Sequence, residues 1–148
     1  MTGTDLLADL RLLTPELILG VGATILLVAG VYIRGDERAS RLVTTGSMVL
    51  LAAAALGAAF LTGRQGTAFY DSFVMDDLAL YAKIVVFTAS IAALLLATRY
   101  LEQERLARFE YPVLILLAAS GMSMMVSAND LITLYLGLEL QSLALYIL

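Results

Sequence analysis

Five long apolar stretches, separated by short connections that hold most of the charge, leave this chain few ways to fold. Crossing the ~30 Å hydrocarbon core of a bilayer takes about 20 apolar residues in a helix, and each stretch approaches that length. Composition agrees: of 148 residues, 61% are hydrophobic and 15% charged, against about half and about a quarter in soluble domains. The sequence therefore predicts an all-α integral membrane protein, a single transmembrane domain over 1–148. Its bundle of five helices would cover about 15–33, 42–62, 78–98, 111–126 and 131–148.

Local signals set these bounds. Thr14-Pro15-Glu16 combines an N-cap residue, a proline at the first helical position and an acid in the first turn, a strong helix start. Pro112 stands near the start of the fourth span, and Ser127-Ala128-Asn129-Asp130 forms a tight turn before the fifth. Residues 34–41 read as a charged loop, 62–77 as a longer polar connection, and 99–110 as a solvated loop or short surface helix. Ala53 and Gly57 stand four apart, a spacing that lets another helix approach closely or arises by chance in an Ala-rich helix. Residues 1–13 carry Asp5 and Asp9, too acidic for the start of a signal peptide. After Leu148 no Lys, Arg, Trp or polar tail anchors the last span, so the chain reads as the N-terminal portion of something longer.

Charge placement predicts orientation. Arg34, Arg38 and Arg41 follow the first span and Arg99, Arg105 and Arg108 the third, against Arg11 and Arg64 on the other side. The positive-inside rule then puts the N-terminus outside the cell. The net charge of −4 and pI near 4.6 argue against a nucleic-acid partner. With no Cys and no His, the chain lacks the usual ligands for haem, iron–sulfur clusters and zinc, and has no Ser-His-Asp or Cys-His catalytic group. Gly20-Val21-Gly22 lies inside an apolar run and is neither a dinucleotide fingerprint nor a P-loop. No cofactor is expected in this chain itself.

Glu139 and Lys83 are the ionisable residues that stand out within the spans. A charge at mid-membrane disfavours insertion by on the order of 2.5–3.5 kcal/mol, so such residues face protein or water. Glu139 follows Asp130 by nine residues, roughly 13 Å along a helix and near the bilayer midplane. Tyr135, Glu139, Ser142 and Tyr146 recur on one helical face. That polar stripe suits a buried hydrated path in which Glu139 takes up and releases protons, or else Glu139 hydrogen-bonds a neighbouring helix. Lys83 lies six residues after Asp77; it is read as snorkelling to the interface, pairing with Asp76 or Asp77, or taking a buried role. Ser120, Gly121 and Ser123 read as a helix-packing patch.

Phe109-Glu110-Tyr111, the run from Val113-Leu114-Ile115 to Ser120-Gly121-Met122, and Asn129-Asp130-Leu131-Ile132-Thr133-Leu134-Tyr135-Leu136-Gly137-Leu138-Glu139-Leu140 resemble subunit N of bacterial NADH:quinone oxidoreductase, respiratory complex I. Pro15-Glu16-Leu17-Ile18-Leu19 and residues 76–83 are similar to that family as well. The resemblance implies the N-terminal part of a roughly fourteen-helix antiporter-like subunit in the membrane arm, with an external N-terminus and a mid-membrane proton path. Glu139 falls on the family's helix-five glutamate, and the partner lysines would come from helices seven, eight and twelve. The implied partners are the other membrane-arm subunits and the lipid bilayer, and the implied location is the bacterial inner membrane. Flavin, iron–sulfur clusters and quinone would belong to the wider complex. A related cation/proton antiporter or membrane-bound hydrogenase subunit, or a non-catalytic membrane scaffold, are the competing readings.

Overall fold

The computed structural model describes residues 3–33, 36–60, 66–68, 70–103 and 108–148. In chain order come α1 (Gly3–Leu12), α2 (Thr14–Tyr32), α3 (Asp36–Phe60), β1 (Gly66–Ala68), β2 (Phe73–Met75), α4 (Asp77–Gln103), α5 (Glu110–Ser127) and α6 (Leu131–Ile147). Among the described residues, α2, α3, α4 and α5 are long and apolar enough to cross a membrane, and α6 is a shorter apolar helix. Helix α5 is the centre of the bundle: it packs against α2, α4 and α6 and buries more of its length than the other spans. Many large apolar side chains, including Val21, Phe60, Leu96 and Leu131, face outward. Such a surface is stable against lipid or other protein and not against water.

Several elements differ from the sequence expectation. The polar N-terminal stretch holds α1, which packs along β1. Because α1 runs almost directly into α2, Leu13 rather than Thr14 is the cap of α2, and the Thr14 hydroxyl donates to the Arg11 carbonyl at 2.6 Å. Helix α3 begins at Asp36, inside the stretch read as a loop, and α4 continues through Arg99 to Gln103. Helix length here exceeds the apolar run because charged residues extend a helix readily once it is in water. The expected end of the second span at 61–62, and Arg34, Arg64 and Arg105, lie outside the described residues.

The connection before α4 forms a hairpin, with Gly66 opposite Met75 and Ala68 opposite Phe73. Tyr70 and Asp71 at its tip take φ of 55° and 65°, the left-handed region that residues other than glycine enter seldom. The hairpin is joined to the α5–α6 turn: Asn129 donates its backbone N–H to Ser72 O at 3.0 Å and its side-chain amide to Asp71 O at 2.8 Å. Ala68, Phe73 and Met75 are buried beneath it, so this hairpin covers one end of the bundle. The starts of α2, α4 and α6 and the end of α5 lie at that end.

Close helix approach occurs at glycines other than the expected pair. A Cβ at Gly57 would meet only the tip of Ile18 at 3.8 Å. At Gly121 it would lie 2.7 Å from both Gln141 N and Gly137 O, so α5 and α6 touch backbone to backbone. Gly121→Ala is therefore expected to force α5 and α6 apart and lower the thermal unfolding temperature of the detergent-solubilised protein. Gly20→Ala, where a Cβ meets nothing within 4 Å, should instead raise it, because alanine favours a helix interior by about 1 kcal/mol over glycine.

Candidate functional site

The strongest electrostatic feature lies one to two turns below the hairpin. Lys83 in α4 is fully buried and its Nζ stands 2.6 Å from Glu16 Oε1 in the first turn of α2. The Ser123 hydroxyl of α5 donates to the same carboxylate oxygen. Phe73 of the hairpin presents its ring to Lys83 Nζ at 4.6 Å, a cation–π contact. Three helices and the hairpin thus converge on one ion pair.

This arrangement follows from the topology. Helices α2 and α4 both start at the hairpin end, so an acid in the first turn of one and a lysine in the second turn of the other reach the same level. Lys83 therefore neither snorkels nor depends on Asp76, whose side chain caps α4 by accepting from Ala79 N at 2.7 Å. The sequence reading missed Glu16 as a partner by treating it only as a favourable charge at a helix N-terminus. The available signal was two opposite charges at similar depth in two spans that start on one side. Ser123, read as packing, is a hydrogen-bond donor to that charge.

Glu139 is placed differently. Helix α6 packs onto α5 through Gly137 and Ala144, its buried residues. At 100° per residue, Tyr135, Glu139, Ser142 and Tyr146 lie on the opposite face, turned away from this bundle. Glu139 is partly exposed and interacts with the Tyr135 hydroxyl. Tyr135 is 60% and Tyr146 90% exposed. Ser142 donates to Leu138 O at 2.6 Å within its own helix. The structure thus keeps the stripe on one face but does not bring Lys83 to it: α5 stands between them. Gly121, in contact with Gly137 and Gln141, is level with Glu139, and Ser123 lies about 3 Å further along α5. The two carboxylates therefore sit at nearly the same depth.

Asp130 caps α6, its Oδ1 accepting from Thr133 N at 2.6 Å. That amide, with help from Ser72, holds the Asp130 carboxyl below the ordinary carboxylate range. Among the described residues no group of three metal-ligating side chains converges. A groove of about 1010 Å³ between α2 and α3 is lined mainly by apolar residues together with Arg38, Arg41 and Thr45, and includes neither carboxylate.

The fold has solved counterparts. A chain of respiratory complex I from Thermus thermophilus superimposes with a TM-score of 0.76 over 90% of this chain and 28% of that one, at 22% identity. The class this defines is a multi-pass helical membrane fold. Sequence comparison is more specific. NADH-quinone oxidoreductase subunit N of Maricaulis maris is 53% identical over 150 aligned residues, covering all of this chain. The subunit N of Paramagnetospirillum magneticum is 48% identical over 95% of it, and subunit N 1 of Rhizobium meliloti 44% over 99%. No family model matches. By these similarities the chain belongs to the NADH-quinone oxidoreductase subunit N family, and it spans about 30% of the length of the relatives it matches.

Two outcomes are expected of this geometry. Lys83→Met leaves Glu16 buried without its cation, a change worth about 3–5 kcal/mol; thermal stability in detergent should fall steeply and Glu16→Gln added to it should recover most of the loss. Asp130→Ala should fray the first turn of α6, seen as faster hydrogen exchange at Leu131, Ile132 and Thr133. Because the Asp130 carboxyl is held low in the folded chain, its capping contribution is full above the ordinary aspartate value. It disappears as pH falls through the lowered one, where the parent's exchange should approach the variant's.

Proposed function

We propose that this chain is part of a proton-translocating membrane-arm subunit of NADH:quinone oxidoreductase, with Glu139 as a mid-membrane proton relay. The observation that carries this is the placement of Glu139 on the face of α6 turned away from its own bundle. A carboxylate at that depth is untenable against lipid, so the face is suited to further protein or a hydrated path. Tyr135 beside it, and Ser142 and Tyr146 further along the same face, would extend such a path. Lys83, separated from Glu139 by α5, would contribute at most indirectly.

In this reading NADH oxidation, flavin, iron–sulfur clusters and quinone belong to other parts of the complex, and this chain takes part in translocation alone. Its partners are other membrane-arm subunits and the bilayer of the bacterial inner membrane. The Arg-rich ends of α3 and α4 face the cytoplasm, and the hairpin and N-terminus the external side, as the distribution of Arg38, Arg41, Arg99 and Arg108 favours.

Glu139→Gln keeps the shape of the side chain and removes its titratable proton. In vesicles carrying the assembled complex, NADH-driven proton uptake and coupled turnover are expected to fall while the subunit composition stays intact. Parent-level uptake in an assembled Glu139→Gln complex would refute the relay.

A further inference from the structure

The Glu16–Lys83 pair has a feature that an ion pair serving packing alone would not show. Apart from their mutual contact, three polar atoms of the cluster have no hydrogen-bond partner among the described residues: Glu16 Oε2, Lys83 Nζ and Ser127 Oγ. All three side chains are buried, Ser127 at 1% exposure. Buried polar groups are nearly always satisfied, and a buried charge pair is stable only when its remaining donors and acceptors are. An unmatched oxygen on Glu16, an ammonium with only the ion pair and a ring as partners, and Ser127 one turn along α5 from Ser123 make a site suited to small polar molecules. Water fits their mixed donor and acceptor character.

The cluster also has a way out. Ser127 lies one turn from Ser123 on the same face of α5, in the direction of the hairpin. Beyond it stand Ser72, Asn129 and Asp130, which already hydrogen-bond one another across the hairpin and the α5–α6 turn. The charged groups on the packed elements are few. Glu16 is the only one of α2, Glu110 the only one of α5 and at its far end, and β2 has none. On the α4 side Asp76 and Asp77 stand at the helix start. The pair therefore balances one positive against one negative charge.

We propose that Glu16, Lys83, Ser123 and Ser127 form a second, hydrated proton-exchange site, distinct from Glu139 and on the other side of α5. A proton arriving through water at Glu16 Oε2 neutralises the carboxylate and removes the partner of the ammonium. Lys83, then an unpaired buried cation, releases a proton from Nζ to water. Reprotonation of the amine from Glu16 restores the ion pair. One proton enters, one leaves, and no electron moves. Ser123 holds Glu16 in place through the bond to Oε1, and Ser127 positions water between the pair and the hairpin end.

This inference rests on the complex translocating protons, but not on Glu139 being the relay. Its test compares three variants in assembled complex in vesicles, reading protons taken up per NADH oxidised. The Glu16→Gln/Lys83→Met double variant removes both charges together, so a purely structural pair would be replaced without loss of that ratio. The proposal expects the ratio to fall with assembly intact; an unchanged ratio overturns it. Should the double variant not assemble, Ser127→Ala decides: it leaves the ion pair whole, and a lower ratio supports the site while a parent ratio overturns it. Glu139→Gln measured alongside separates the two readings. A loss there with none in the other variants removes this site and keeps the relay, and the converse removes the relay and keeps this site.

Discussion

Inside an apolar bundle a lysine ammonium and a glutamate carboxylate 2.6 Å apart are each other's condition for burial. Either alone would disfavour the membrane interior by on the order of 2.5–3.5 kcal/mol, and together they fix the relative heights of α2 and α4. Ser123 adds α5 to the same point, and Phe73 brings the hairpin down onto it. Much else follows from this one contact. With α2, α4 and α5 in register, α5 is left with its glycine-bearing face free to receive α6, and the hairpin can close the end where these helices start or stop.

Two kinds of approach then divide the bundle. Along α2 and α3 the glycines admit flexible leucine side chains, Leu50 at Gly22 and Leu26 at Gly46, and the helices remain a side chain apart. Between α5 and α6 backbone meets backbone at Gly121 and Gly137. That tight seam orients α6, and orientation matters more for this helix than for any other. With Gly137 and Ala144 inward, Glu139 and its tyrosines must point outward. The same rotation that satisfies packing presents the Glu139 carboxylate to whatever lies beside the bundle.

The sequence made the spans and their order legible, because hydrophobic length is a property of each stretch alone. It also grouped Glu139 with Tyr135, Ser142 and Tyr146 on one face, because helical periodicity is local. Pairings across helices were less accessible. Glu16 looked like a dipole-compensating acid, and Lys83 was left between snorkelling, pairing with Asp76 or Asp77, and a buried role until topology put both at one level. Ser120, Gly121 and Ser123 looked like a packing patch, and Gly121 does serve the seam with α6, whereas Ser123, two residues on, serves a charge. The hairpin was read as loop because its strands are three residues each, too short for alternation to register. Its turn uses Tyr70 and Asp71 at positive φ in place of glycine, which removed the usual sequence cue.

The central claim is that this bundle holds charge inside and wets it. A structure of the complete complex that resolves ordered water tests it most directly. The account predicts Lys83 still paired with Glu16, and water within hydrogen-bonding distance of Glu16 Oε2 and Ser127 Oγ, leading toward Asn129 and Asp130. A dry cluster in which side chains of a neighbouring subunit satisfy those atoms, or a Lys83 turned away to the membrane surface, would contradict it.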